Sequence, residues 1–122
     1  HLLRTPGVIA RLRRSEHRYA EIFADYDVVL SPTLAHTTPK LGYLSPAQPF
    51  DELFDRLMRY AAFTPLNNAT GGPAVSLPMG MTAGGLPVGV HFSAGNGQER
   101  TLLELAYEIE AVQGWDPIQD AG

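Results

Sequence analysis

The sequence contains no cysteine, which excludes a disulfide framework, a thiolate nucleophile and thiolate metal ligands. It also lacks an apolar run of roughly 18 residues, the length needed for a membrane-spanning helix. No signal-peptide pattern follows the first residue, His1. We therefore expect neither a membrane segment nor a metal or other cofactor, and the cysteine-free composition favours a cytoplasmic location.

Charge is distributed unevenly in an otherwise ordinary globular composition, with 44% hydrophobic and 18% charged residues. The chain has a net charge of −4, but residues 1–20 contain five arginines and one glutamate. A cluster of arginines on one helix can bind phosphate groups, and nucleic-acid binding is therefore one alternative. No aromatic residues are interleaved with these arginines, so we predict a solvated helix face and no nucleic-acid partner.

The length of 122 residues corresponds to about one domain. Apolar periodicity predicts the order helix, strand, loop, helix, two strands and helix, which is typical of a layered α/β fold. We divide this single unit into a basic helix (1–26), a strand with a proline-rich loop (27–49), a helix (50–64), and a hairpin followed by the C-terminal helix (65–122).

Several boundaries are predicted from local signals. The apolar run Val28–Leu30 is typical of a strand buried on both faces. Pro65 is expected to end the second helix. The last helix is expected to begin with a capping box of Asn96 and Glu99 and to end at Gly114. The hairpin is expected to pair Ala74–Met81 with Leu86–Ser93 across a turn that contains two glycines.

No complete catalytic set can be assembled from the serines and histidines. An activated serine needs a neighbouring base and an oxyanion hole. Ser76 lies between Val75 and Leu77 without the G-x-S-x-G elbow, and His91 replaces the first glycine of such an elbow around Ser93. We predict that both serines are structural and that no catalytic residue lies in this chain. The four histidines show no i, i+4 pair, and we predict that they bind no metal.

The segment "FTPLNNATGG" is the best candidate for a binding site, because a helix ends there and a buried strand follows. Adjacent asparagines and free backbone N–H groups beside small residues can orient a polar ligand group. The same asparagines can instead cap the turn, and the sequence leaves both roles open. The substrate-binding candidates are Phe63, Thr64, Leu66, Asn67 and Asn68.

From Phe63 onward, "FTPLNNATGGPAVSLPMGMTAGGLPVGVHFSAGNGQERTLLELAYEIE" resembles the C-terminal end of amidase signature family enzymes. The family pattern is approximately F-T-x-x-x-N-x-x-G-x-P-A-x-S-x-P-x-G, followed by G-L-P-x-G-x-Q and a leucine-rich helix. "YDVVLSPT" also resembles the family's strand before the pocket loop, so the resemblance covers the chain from about residue 20. The matching residues are Phe63, Thr64, Asn68, Gly71, Pro73, Ala74, Ser76, Pro78, Gly80, Gly85, Leu86, Pro87 and Gly89.

The resemblance implies a mixed β-sheet flanked by helices, as the C-terminal fragment of the amidase signature fold. It also implies amide hydrolysis by a Ser–Ser–Lys triad in a Gly-Ser-rich region upstream, which this sequence does not contain. Ser76 then corresponds to a structural strand serine. His91 replaces the family's usual glutamine, which is a minor change on a strand. Ala61 replaces an acidic residue that recognises an amino group in tRNA amidotransferases, and this second departure favours a general amidase with a more apolar pocket.

We therefore expect the C-terminal portion of an amidase that converts carboxylic amides to acid and ammonia or amine. This portion would form the wall of the substrate pocket, and the chain alone would be inactive. Its partners would be a small-molecule amide and either the N-terminal half of the same enzyme or a second copy in a homodimer. The alternative is a non-catalytic binding or assembly module that pairs through exposed sheet edges.

Overall fold

The computed structural model describes residues 5–115. Arg4 lies outside this range, as do the outer ends of the predicted basic helix (1–26) and of the predicted C-terminal segment (65–122). The chain forms four helices and three strands within it. These are α1 (Thr5–Ile22), β1 (Val28–Pro32), α2 (Phe50–Tyr60), α3 (Pro65–Thr70), β2 (Ala74–Met81), β3 (Pro87–Ala94) and α4 (Glu99–Gln113).

The three strands form one antiparallel sheet in the order β1-β3-β2. In the register, His91 of β3 lies opposite Ser31 of β1 and Ser76 of β2. Helices beside a sheet confirm the α/β class. The described strands contain no parallel pair, so the mixed pairing that the resemblance implies is not seen within residues 5–115.

One face of the sheet carries the apolar core. Leu77, Phe92 and Ala94 are buried there together with Leu102 of α4. Leu105, Ala106 and Ile109 follow Leu102 at helical spacing and also pack against this cluster. The apolar stripe of α4 therefore covers the sheet where β2 and β3 pair.

The opposite face carries small and hydroxyl-bearing side chains, because side chains alternate between the two faces along each strand. We call the polar group on this surface the hydroxyl face; it comprises Ser31, Thr33, Ser76, His91 and Ser93, with Val29 and Ala74 on the same side of the sheet. Helices α1 and α3 pack against each other and reach the end of the sheet near Ser93, where α3 contacts Ser93 and α1 donates a hydrogen bond to the carbonyl of Ala94. This arrangement places α3 beside the hydroxyl face.

The second predicted helix is shorter than expected. It ends at Tyr60, where the N–H of Ala61 donates to the carbonyl of Leu57. The prediction that Pro65 ends this helix is wrong, because Pro65 is the first residue of α3. Proline suits that position, since its missing N–H would have no partner in the first turn of a helix and its φ angle is already helical.

The start of α4 also differs from the prediction. Gln98 precedes the first helical residue and no side chain caps the helix, so the predicted capping box of Asn96 and Glu99 is wrong. Gly97 has a φ angle of 80°, and a tight turn closes where the Gln98 N–H donates to the Gly95 carbonyl. This backbone turn takes the place of a side-chain cap. Gly114 follows the last helical residue, as predicted.

The strand and hairpin predictions have mixed outcomes. The hairpin is confirmed with β3 beginning one residue later than predicted, and Gly85 has a φ angle of 77° in its turn. The prediction that Val28–Leu30 is buried on both faces is wrong for this chain, since the Leu30 side chain is 64% exposed. The reason is that β1 is an edge strand, while α4 packs against β2 and β3.

Candidate functional site

A cavity of about 490 Å³ lies where α3 meets the hydroxyl face. It opens to solvent and is lined by residues from the helix-to-strand transition and by one histidine of the central strand. The lining residues are Thr64, Asn67, Asn68, Gly71, Gly72, Ala74 and His91. A polar lining of this kind offers hydrogen-bond partners to a small ligand.

The two adjacent glycines give the cavity its shape for different reasons. Gly71 follows the last residue of α3 with a left-handed φ angle of 74°, and its N–H donates to the Asn67 carbonyl. This conformation strains residues with a side chain. Gly72 lies against the ring of Tyr19, and a Cβ atom at this position would overlap that ring. The first glycine thus reverses the chain, and the second lets α1 approach it.

Asn67 is held by hydrogen bonds at both ends of its side-chain amide. Its Nδ2 atom lies 3.1 Å from Tyr19 Oη and 3.2 Å from the Gly72 carbonyl oxygen. Its Oδ1 atom accepts from Ser93 Oγ at 3.2 Å. The Tyr19 hydroxyl in turn donates to the Ala94 carbonyl at 2.8 Å. Asn67 therefore joins α1, α3 and β3.

Asn68 differs from its neighbour, although both line the cavity. Its side chain is exposed and makes no hydrogen bond to any residue in the range 5–115. The sequence left open whether the asparagines orient a ligand or cap the turn. Asn67 fastens the turn. The amide of Asn68 is available for a ligand.

The His91 imidazole is buried, with 6% of its surface exposed. Its Nδ1 atom lies 3.3 Å from Ser93 Oγ and 3.4 Å from Ser31 Oγ. Burial lowers the pKa of His91 from its ordinary value of 6.5, because desolvation disfavours the charged ring. His91 was not among the predicted site residues, although its departure from the family's usual glutamine was the signal that marked this position.

The other predicted site residues are not all brought together. Thr64 lines the cavity with Asn67 and Asn68. Phe63 is 40% exposed and is not one of the lining residues. Leu66 lines a separate depression of about 200 Å³ beside α1. Within the described chain, the contacts thus group the polar candidates and separate the two apolar ones.

The serines on the hydroxyl face are engaged with other groups. Ser76 Oγ lies 2.7 Å from Thr33 Oγ1 and has no histidine or lysine partner among residues 5–115. Ser93 is buried and donates to Asn67, so its hydroxyl proton is already used. Ser31 is 3.4 Å from His91 Nδ1, and within the described residues His91 has no carboxylate partner to orient it as a base.

The described chain also has no group of three histidine or acidic side chains placed to hold a metal ion. None of its helices combines the length and the apolar character that crossing a bilayer requires.

Comparison with known proteins identifies the family. A sequence profile described as Amidase matches residues 7–103, which is most of the chain. This chain belongs to the amidase family. AmiC of Mycobacterium leprae is 53% identical over 116 residues, which is 95% of this chain and 25% of that protein. The 6-aminohexanoate-cyclic-dimer hydrolase of a Pseudomonas strain is 37% identical over 98 residues, which is 75% of this chain and 20% of that protein.

A solved amidase-family structure has the same fold. The 6-aminohexanoate cyclic dimer hydrolase complexed with substrate superposes with a TM-score of 0.78 at 28% identity, covering 90% of this chain and 24% of that one. The amidase chain described here thus spans about a quarter of the length of the relatives that it matches.

Proposed function

We propose that this chain is the C-terminal quarter of an amidase that hydrolyses carboxylic amides to the acid and ammonia or an amine. In this proposal the chain forms one wall of the substrate pocket and contributes no catalytic residue. The observation that carries the proposal is the polar cavity at the end of α3, in a chain whose sequence matches the amidase profile.

The substrate class follows from the lining of the cavity. Thr64 and Asn68 offer a hydroxyl and an amide, and no charged side chain is among the lining residues. Such groups suit a neutral carboxamide better than an ionised ligand, which would need a charged partner when removed from water. We therefore propose a small neutral amide as the substrate, with no nucleic acid, membrane or cofactor involved, and a cytoplasmic location.

The catalytic groups are proposed to lie in other polypeptide. The hydroxyl groups of Ser76 and Ser93 are engaged with Thr33 and Asn67, and the only lysine, Lys40, is exposed in the proline-rich loop. A lysine that acts as a base needs a buried position beside a partner, and Lys40 is not buried among residues 5–115. A Ser–Ser–Lys triad from the remainder of the enzyme would complete the site.

The exposed apolar side chains support a covering partner. Leu30 of β1 is 64% exposed, and the stacked rings of Phe50 and Phe54 on α2 are 73% and 51% exposed. We propose that the N-terminal part of the same enzyme covers these side chains.

An assembly module is the second candidate, because within residues 5–115 β1 and β2 each present an unpaired edge. Light scattering on the isolated chain distinguishes the two. Defined homodimers would favour assembly through an edge, whereas a monomer that binds the N-terminal part of a relative would favour the amidase.

A chimaeric enzyme tests the pocket assignment. The matching quarter of the Mycobacterium leprae relative is replaced by this chain, and ammonia release from butyramide is measured. Asn68→Ala should lower kcat/KM by about three- to tenfold with unchanged stability, since one neutral hydrogen bond to the ligand is lost. An unchanged kcat/KM would remove Asn68 from the pocket.

Asn67→Ala is the matched control for this experiment. Asn67 lines the same cavity, but its amide makes structural hydrogen bonds to Tyr19 of α1, to the Gly72 carbonyl and to Ser93 of β3. Removing it leaves buried partners unpaired, which costs about 1–3 kcal/mol for each group. The Tm of the Asn67→Ala variant should fall, whereas the Tm of the Asn68→Ala variant should stay unchanged. If the two variants lose stability equally, the separation of their roles is wrong.

A further inference from the structure

The hydrogen bonds around Asn67 determine which atoms donate. Carbonyl oxygens of Gly72 and Pro73 lie 3.2 and 3.4 Å from one end of the Asn67 amide, and carbonyls only accept, so that end is the nitrogen. The other end is the oxygen, which also only accepts. In its contact with Asn67 Oδ1, Ser93 is therefore the donor.

The direction of the Ser93 hydrogen bond also bears on which nitrogen of the His91 imidazole carries the proton. Since the Ser93 proton is directed to Asn67, the contact of 3.3 Å between Ser93 Oγ and His91 Nδ1 needs a proton on Nδ1. Ser31 Oγ lies 3.4 Å from the same nitrogen, and its hydroxyl can accept this proton or donate to an unprotonated Nδ1. When Nδ1 donates to Ser93, the neutral ring carries its proton on Nδ1 and Nε2 has a free lone pair.

His91 borders the cavity, and its second ring nitrogen, Nε2, has no partner among the described residues. Within that range, Gln48 Oε1 is the side-chain polar atom that is fully enclosed without a partner. The unpaired Nε2 of His91 is therefore not sealed inside the protein.

We propose that His91 is a ligand-binding residue whose Nε2 accepts a hydrogen bond from an amide N–H of the ligand in this cavity. The identification of the ligand as an amide rests on the proposed function. Ser93 and Asn67 are positioning residues, because they fix the tautomer and the orientation of the ring without contacting the ligand through those groups.

An acceptor at this position discriminates between ligands. A primary amide offers N–H groups to Nε2, whereas an N,N-dimethyl amide offers none. A carboxylate, the product of hydrolysis, also has no proton to donate and would direct its negative charge at a lone pair. His91 would thus favour binding of the substrate over binding of the acid product.

Histidine ¹⁵N NMR on the full 122-residue chain tests the inference directly, with His91 assigned from its absence in His91→Gln. We expect the Nδ1–H tautomer and a Nε2 signal that shifts on titration with butyramide but not with N,N-dimethylbutyramide or butyrate. The Nε2–H tautomer, or equal responses to all three probes, would overturn the proposal. This measurement needs no turnover, so its result is independent of whether the chimaera is active.

Kinetics of the chimaera provide a second test that does not depend on the fold of the isolated chain. His91→Leu removes the acceptor and should raise KM for butyramide about tenfold, while inhibition by N,N-dimethylbutyramide stays unchanged. His91→Gln keeps an acceptor oxygen and should restore KM to within about threefold. Equal loss in both variants, or a parallel loss of dimethylbutyramide binding, would contradict direct acceptance of the N–H. A chimaera that is folded but inactive would count against the proposed function, and the NMR titration alone would then decide the role of His91.

Discussion

At the scale of single residues, the most distinctive feature is the burial of two polar side chains, His91 and Tyr19. His91 is nearly enclosed, and among the described residues its Nδ1 contacts are two serine hydroxyls. Tyr19 is also buried, and desolvation raises its pKa, so its hydroxyl keeps the proton that it donates to Ala94. A line of neutral hydrogen-bonding groups thus runs from the central strand to α1.

The lowered pKa of His91 predicts a pH dependence of stability. In the unfolded chain the imidazole takes up a proton near its ordinary value of 6.5, whereas the buried ring resists protonation until lower pH. The unfolded state therefore binds more protons as the pH falls below about 6.5, and the free energy of unfolding decreases by up to about 1.4 kcal/mol per pH unit.

Urea unfolding of the chain between about pH 7.5 and pH 5.5 measures this effect. His91→Gln should lose less stability on acidification than the wild type, because the buried titrating group is absent. The control is Asn68→Ala, which changes an exposed side chain of the same cavity and keeps His91, so it should keep the wild-type pH dependence. Identical profiles for the wild type and His91→Gln would contradict the assigned shift.

Among the elements, the contact between α1 and the entry to β2 depends on close approach. The Tyr19 ring lies where a Cβ of residue 72 would be, and its hydroxyl binds the end of β3. The same ring contacts Phe23 edge-on with 4.8 Å between ring centroids. Tyr19 therefore fastens α1 to the sheet through both its ring and its hydroxyl.

Gly72→Ala is predicted to disturb this contact. The added methyl group would overlap the Tyr19 ring, and overpacking of this kind costs about 1–3 kcal/mol. Gly80→Ala is the matched control, since a Cβ there meets no atom within 4 Å and its φ angle is not positive. Thermal unfolding of both variants should show a lower Tm for Gly72→Ala alone. Equal Tm values would mean that α1 is not held by this contact.

Whether a feature could be predicted from the sequence depends on how far apart along the chain the interacting residues lie. The hairpin was predictable because its alternation and its glycine turn are adjacent in the chain. The break between α2 and α3 was not, since a proline is equally compatible with the end of one helix and the first residue of another. The pairing of Val28 with Ala94 and the place of His91 depend on distant segments that local patterns do not encode.

At the scale of the whole molecule, the exposed hydrophobic side chains outnumber the buried ones, which indicates a surface that further polypeptide covers. Among the described residues, five hydrophobic side chains are buried, whereas 21 large hydrophobic ones are exposed. Single exposed apolar residues are ordinary, but stacked rings on α2 and an edge strand with exposed Leu30 form larger surfaces. This ratio agrees with a chain that spans a quarter of the length of its relatives.

The most direct test of the central claim measures ammonia release from butyramide by three samples: the chain alone, the remaining part of the Mycobacterium leprae relative alone, and the two expressed together. Since the proposed catalytic triad lies outside this chain and the proposed pocket wall lies within it, we predict turnover only for the combined sample. Hydrolysis by the purified chain alone, at a rate that scales with its concentration, would contradict the account.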